Sequence, residues 1–322
     1  MTVLNETDRI LFASTANNPA DETVTAELEE ALTLTQPALS VVVPAYNEEN
    51  AVADQIKSIH RVLTDHDIPY EIIVVDDGSA DNTAQEAESA GARIIHHPRN
   101  RGYGASLKTG IKAARYPTVA IIDADGTYPA EAIPAMLEKI REYDMVVGAR
   151  TAPNAKIPLV RKPAKWFLRQ LASYLAEQPI PDLNSGLRIL KKPLVERFEH
   201  VLPSGFSFTT TITLSLMCND YLVDYHPIEY HHRVGESKIR PVDAYHFFLL
   251  ILRTIVYFNP LKVFLPLGMA LFLTGTGKFV YDLFLENLSE TAIFGLLGAF
   301  VIWAMGLLSD QIARVGLGTR PR

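Results

Sequence analysis

The sequence predicts an α/β protein built on a mostly parallel sheet with helices on both faces, followed by two helices of transmembrane length. Three observations predict it. Between residues 39 and 148, short apolar runs alternate with amphipathic stretches. Those runs are continuously apolar, as strands are when helices cover both faces of a sheet. After Pro241 the chain becomes strongly apolar, with two long stretches almost free of charge.

The elements follow in order. "LSVVVPA" reads as a strand and 48–63 as a helix; "EIIVVDDGS" is a strand and 81–90 a helix that "DNT" can cap. "ARIIHH" is a short strand, 104–115 a helix, "TVAIIDAD" a strand, 130–141 a helix and "DMVVGAR" a strand. Further on, "RKPAKWFLRQLASYLAEQ" has the pattern of a basic amphipathic helix, and "NSGLRIL" that of a strand led in by a glycine. Residues 208–217 form a further helix, "YLVDYHPIEY" a strand and "HHRVGESKIRP" a polar loop. "YHFFLLILRTIVYF" is apolar and aromatic but interrupted by Arg253, which suits a helix lying in a membrane interface.

Val263–Phe284 is a 22-residue apolar stretch containing only Lys278 and Asp282, spaced one turn apart so that they can pair. Ala292–Leu308 is 17 residues without charge, and "ENLSE" joins the two. A membrane hairpin is the simplest reading; the alternative is a helical hairpin buried in a soluble protein, which would want a polar face. Arg253 and Lys262 precede the first span, Arg314, Arg320 and Arg322 follow the second, and the linker has no base. That asymmetry puts both ends, and the large domain, on the cytoplasmic side of the cytoplasmic or ER membrane. The expected organisation is an acidic flexible tail (1–36), a catalytic domain (37–241), an interfacial helix (242–260), a transmembrane hairpin (261–312) and a basic cytoplasmic tail (313–322).

Charge narrows the function. The 322 residues carry a net charge of −7, but residues 1–36 hold seven acids and one base, so the remainder is almost neutral. No global basic field exists for nucleic acid. The N-terminus lacks the basic start and apolar stretch of a signal peptide. The single cysteine, Cys218, excludes an internal disulfide and reads as a small buried residue.

In a parallel α/β sheet, ligands bind beyond the carboxyl ends of the strands. Asp76, Asp77, Asp123, Asp125 and Arg150 all fall at such ends. Asp123-x-Asp125 is either an ordinary solvated strand end or a pair of hard oxygen donors for Mg²⁺ or Mn²⁺. Asp76 and Asp77, before Gly78, either cap the next helix or accept hydrogen bonds from a nucleobase edge or ribose. In "NRGYGASLKTG", Leu107 stands where a dinucleotide fingerprint needs glycine, which excludes NAD or FAD there. A turn at Gly104 opening a helix with Lys108 can still lie under a phosphate. Arg233, Ser237 and Lys238 sit on a Gly-containing loop, either a solvated basic loop or a cationic flap for a diphosphate. His226, His231 and His232 have no companion ligands at metal spacing and read as structural.

Taken together, "VVVPAYNEE", "VVDDGS", "NRGYGASLKTGIKAA", "DADGTYP", "VVGAR", "NSGLRIL" and "RVGESKI" resemble, in that order, the family-2 glycosyltransferases. Within them they resemble the dolichol-phosphate mannose synthase-like group of polyprenyl-phosphate hexosyltransferases. The resemblance covers roughly residues 39–241. It implies a GT-A fold and inverting transfer of mannose or glucose from a GDP- or UDP-hexose to a polyprenyl phosphate. It further implies that Pro44, Tyr46, Glu48 and Asp77 contact the nucleoside, and that Asp123 and Asp125 hold Mg²⁺ or Mn²⁺ on the diphosphate. Arg233, Ser237 and Lys238 would close over that diphosphate. Arg150, Arg161, Lys162, Lys165 and Arg188 are the implied candidates for the acceptor phosphate. Many dolichol-phosphate mannose synthases read Asp-Ala-Asp-Leu-Gln; here Thr127 stands in the Gln position, as the third metal contact. An anionic phosphate needs no strong base. A glycolipid or glycan hydroxyl would need one, and Asp182 is the candidate. A non-enzymatic scaffold that kept the fold is a further alternative. Partners are thus the nucleotide sugar, the lipid acceptor and the bilayer, and a homo-oligomer is compatible with this reading.

Overall fold

The protein's computed structural model describes residues 38–151, 170, 173–174, 178–205, 207–229, 249, 252–253, 256–287 and 289–318. Its sheet is built from β1 (Leu39–Ala45), β2 (Tyr70–Asp76), β3 (Arg93–His96), β4 (Thr118–Ile121), β5 (Met145–Ala149), β6 (Arg188–Lys191) and β7 (Val223–Pro227). The spatial order is β3-β2-β1-β4-β6-β5-β7. All pairings are parallel except those of β6, which runs antiparallel to both β4 and β5. The chain passes from β1 outward to β2 and β3, then returns to the other side of β1 with β4. That reversal between β1 and β4 opens a crevice at their carboxyl ends.

Both faces are covered, as the continuous apolar runs require. β1 is buried along its whole length. Val41 and Val43 point into one core with Val52, Ile56 and Ile59 of α1 (Val52–Asp65) and with Ile133 and Met136 of α4 (Ile133–Lys139). Val42, pointing the other way, joins Leu107 and Ile111 of α3 (Tyr103–Ala113), Phe198 of α5 (Lys192–Phe198) and Phe208 and Ile212 of α6 (Phe208–Met217). The period of two along the strand thus feeds two cores. Each such buried side chain contributes about 1.5–3 kcal/mol. α2 (Thr83–Ser89) begins as expected after "DN", though Asn82 makes no side-chain cap bond. The helix α5 was not legible, because a seven-residue helix opening on Lys-Pro carries too short a period. Residues 130–132 form a 3₁₀ turn before α4.

The hairpin is α7 (Leu261–Phe284) and α8 (Glu290–Gly318). Both hold a span long and apolar enough to cross a membrane, Leu261–Phe284 with a mean hydropathy of 1.5 and Glu290–Ala313 with 2.1. Large apolar side chains such as Leu273, Phe294, Phe300 and Leu308 are exposed along them. A core helix of a soluble protein would bury these, so the soluble hairpin alternative loses its footing. The helices meet closely at Gly275 and Gly295. Lys278 pairs with Asp282, as their spacing suggested, and Asp282 also accepts from the Ser289 N–H at 3.0 Å, closing the turn. The foot of α7 packs on the main domain, where Val263 touches the cluster of Ile180, Leu214 and Met217. Of the basic segment 161–177, only residues 170, 173 and 174 are described, and most of the aromatic stretch 245–258 also lies outside the described residues.

Candidate active site

A cleft of about 260 Å³ opens at the carboxyl ends of β1, β2 and β4. Pro44, Tyr46, Glu48, Asp77, Asp123 and Asp125 line it, together with Asn100, Gly102, Tyr103 and Ser106. Its upper rim is two loops sewn together. The Asn47 N–H donates to Ser79 Oγ at 3.0 Å, and Asn47 Oδ1 accepts from the Ala80 N–H at 2.9 Å. The Glu48 N–H donates to Thr83 Oγ1 at 2.8 Å. These bonds fix where Tyr46 and Glu48 stand, with Asn47 in the left-handed region at φ 55°. Gly78 turns the second loop at φ 75°, and any Cβ there would strike the Arg99 backbone.

Asp123 and Asp125 leave β4 toward the cleft. Asp123 Oδ1 accepts from the Tyr103 phenol at 2.8 Å. Burial, with the Asp123 carboxylate beside it, raises the Tyr103 hydroxyl well above its ordinary pKa, so it stays a proton donor. On its other side Asp123 rests against Gly186. A Cβ on residue 186 would lie 2.2 Å from Asp123 Oδ2. The Gly186 N–H is itself anchored by Tyr128 Oη at 2.7 Å. Asp125 Oδ1 accepts from Thr127 Oγ1 at 2.6 Å and from the Thr127 N–H at 3.2 Å. Thr127 is fully buried behind Asp125 and does not line the cleft, so its place is that of a support and not of a third ligand. Among the described residues no group of three His, Cys, Asp or Glu could hold a metal. The pair Asp123/Asp125 fits a cation that takes two carboxylates from the protein and its remaining oxygens from phosphates and water.

Asp77 is 4% exposed. It accepts from His97 Nδ1 at 2.6 Å and the Arg101 N–H at 2.9 Å on Oδ1, and from the Gly102 N–H at 2.8 Å on Oδ2. His97 Nε2 in turn meets Thr109 Oγ1 at 2.9 Å.

Arg150, beyond β5, and Asp182, before β6, meet at the same sheet edge. Arg150 Nε donates to Asp182 Oδ2 at 2.7 Å, Nη2 to Oδ1 at 2.8 Å and the Arg150 N–H to Oδ2 at 3.1 Å. The Asn184 N–H donates to Oδ1 at 3.2 Å. A carboxylate has about four lone-pair sites, and all four are taken. Asp182, the expected base for a hydroxyl acceptor, is thus engaged on both oxygens and clamps Arg150.

Other expectations are also revised. Asp76 accepts from the Ser79 N–H at 3.0 Å and lies 3.3 Å from His96 Nδ1, so it closes its turn outside the cleft. Gly104 is packed beneath the Pro203 and Gly205 carbonyls. Lys108 donates to the Leu202 carbonyl and is not among the residues lining the cleft. Arg188 is fully buried: Nη1 donates to Thr209 O and Thr213 Oγ1, both at 3.0 Å, and Nη2 to Ser185 O at 2.6 Å. It braces the turn carrying Asn184–Gly186 and is out of reach of a lipid phosphate. Arg161, Lys162, Lys165, Arg233, Ser237 and Lys238 lie outside the described residues. Tyr103, Tyr128, His97 and Gly186 escaped the sequence reading. Their roles arise from contacts across long stretches of chain, and only the glycine before "LRIL" gave any local signal.

Comparison with known proteins agrees with this geometry. Residues 40–198 match the family model of glycosyl transferase family 2, and residues 259–315 match that of the GtrB C-terminal hairpin. A dolichyl-phosphate hexose transferase of Haloferax volcanii is 32% identical over 205 residues, covering 63% of this chain and 87% of the relative. An undecaprenyl-phosphate 4-deoxy-4-formamido-L-arabinose transferase of Pseudomonas fluorescens is 27% identical over 312 residues, 88% of this chain and 87% of the relative. Crystalline glucosyl-3-phosphoglycerate synthase of Mycobacterium tuberculosis, in complex with Mn²⁺, UDP and phosphoglyceric acid, shares the fold. The TM-score is 0.56 and the identity 21%, over 70% of this chain and 81% of that one. The chain belongs to glycosyl transferase family 2, in its group of polyprenyl-phosphate hexosyltransferases.

Proposed function

We propose that the protein transfers a hexose, with inversion, from a nucleoside diphosphate sugar to a polyprenyl phosphate at the cytoplasmic face of a membrane. The observation that carries the acceptor is the filled carboxylate of Asp182. The acid the sequence offers as a base for a hydroxyl acceptor is held by Arg150 and Asn184 on both oxygens, and a phosphate acceptor needs no proton removed. The names of the Haloferax and Pseudomonas relatives, both transferases to polyprenyl phosphates, point the same way.

An oxygen of the lipid phosphate attacks the anomeric carbon as the bond to the diphosphate breaks, and the electron pair leaves with the nucleoside diphosphate. Asp123 and Asp125 would hold Mg²⁺ or Mn²⁺, which supplies positive charge to the departing diphosphate. Tyr103 and Gly186 fix Asp123, and Thr127 fixes Asp125, so the pair needs little rearrangement when loaded. Arg150, oriented by Asp182, stands at the edge for the acceptor's charge. Arg233, Ser237 and Lys238 would close over the diphosphate. The hairpin holds the cleft against the bilayer, which the acceptor's tail cannot leave.

The test compares polyprenyl monophosphate with the matching polyprenol as acceptors for the purified protein in detergent with Mn²⁺. Transfer to the phosphate alone is expected. Transfer to the alcohol would return the reaction to a hydroxyl acceptor.

A further inference from the structure

We infer that the donor nucleoside is uridine and not guanosine, because Asp77 has room for one more hydrogen bond and not two. This deepens the proposed function and rests on its nucleotide-sugar donor.

The cleft has two acidic ends. Asp123 and Asp125 stand at the end of β4 and suit a cation with its diphosphate. Asp77 stands at the end of β2, two strands away in the order β2-β1-β4. At a strand spacing of about 4.8 Å the two ends lie roughly 10 Å apart, a separation that a nucleoside can span. A buried carboxylate beyond the cation's reach repels phosphate and must face hydrogen-bond donors. Tyr46, 37% exposed on the wall between the two ends, offers a ring for a base to lie against.

The acceptor count then decides which base. Asp77 Oδ1 is filled by His97 Nδ1 and the Arg101 N–H, while Oδ2 holds only the Gly102 N–H. One lone-pair site remains, on Oδ2. Guanine presents N1–H and the N2 amino group side by side and needs one site on each oxygen. With Oδ1 full, one guanine donor would be buried without a partner. Uracil presents a single ring N–H and matches the single site. His97, held by Thr109 on its far side, is the residue that fills Oδ1 and so sets this limit.

The test is equilibrium binding of UDP and of GDP to the full chain in detergent with Mn²⁺. UDP should bind about tenfold or more tightly than GDP, the effect of one unpaired buried donor. Equal binding, or tighter GDP, overturns the inference and leaves the transferase reading standing. Binding of neither overturns both. The Asp77→Asn variant should lose most of the UDP preference, because an amide group replaces an acceptor oxygen. A preference that survives unchanged in Asp77→Asn places base recognition elsewhere and also overturns the inference.

Discussion

Arg150 and Asp182 grip each other through two parallel hydrogen bonds, Nε to Oδ2 at 2.7 Å and Nη2 to Oδ1 at 2.8 Å. The grip fixes the guanidinium at the sheet edge where we propose the acceptor phosphate binds, and it engages both oxygens of the acid proposed as a base for a hydroxyl acceptor. Asp182→Asn should therefore weaken acceptor binding, raising the acceptor KM about tenfold, at a stability cost of about 1–3 kcal/mol. The shape of the pH–rate profile should stay that of the wild type. Loss of one limb of that profile in the variant would identify Asp182 as a base after all.

Thr127 supports Asp125 from behind, so Thr127→Val should act on the metal and not on the fold. Partners of this kind typically tune metal affinity by 10–100-fold. A rise of about tenfold in the Mn²⁺ needed for half-maximal activity is expected, with a stability loss of about 1 kcal/mol. A metal titration on the variant checks this, and an unchanged midpoint would remove Thr127 from the account.

Gly186 leaves space that Asp123 fills. In Gly186→Ala the new Cβ would fall 2.2 Å from Asp123 Oδ2, so one of the two must move. Overpacking of this sort costs about 1–3 kcal/mol, and a displacement of about 1 Å at a catalytic group can cost about 100-fold in rate. Thermal unfolding alongside kcat should show a folded protein with a rate reduced on that order. Wild-type activity in Gly186→Ala would mean that Gly186 does not set the position of Asp123.

At the far edge of the sheet Lys139 of α4 donates to Asp224 of β7 at 2.7 Å. Burial alone would raise the Asp224 carboxyl, but the Lys139 bond and charge hold it below its ordinary value. A carboxylate depressed in the folded state adds stability above the unfolded pKa, about 3.9. That stability is lost as pH falls through the folded value. Lys139→Met should thus move the midpoint of acid unfolding to higher pH, by a small amount because the pair is largely solvated. Circular dichroism across an acid titration would show the shift, and an unmoved midpoint would mean the pair adds nothing.

Much of the fold was legible because strand burial writes itself as continuous Val and Ile runs. The hairpin was legible because lipid-facing helices have no polar face. The reversal of β6 was not, since an antiparallel strand buried on both faces reads like a parallel one. At the site, Asp123 and Asp125 stood out because acids ended an apolar strand. Arg188 misled because a basic residue beside the site motifs looks like a phosphate ligand. Its side chain turns inward onto α6, which only the packing of that helix decides. Tyr103, His97 and Gly186 matter through partners 20 or more residues away in sequence, in the case of Gly186 over 60, and no local pattern announces them.

The most direct test of the central claim is transfer by the purified full chain in detergent, with Mn²⁺, polyprenyl monophosphate and radiolabelled UDP- and GDP-hexoses, beside the Asp125→Ala variant. Labelled lipid should form with the wild type and be absent with a folded Asp125→Ala. Lipid product from both proteins, or donor hydrolysis without any lipid product, would contradict it.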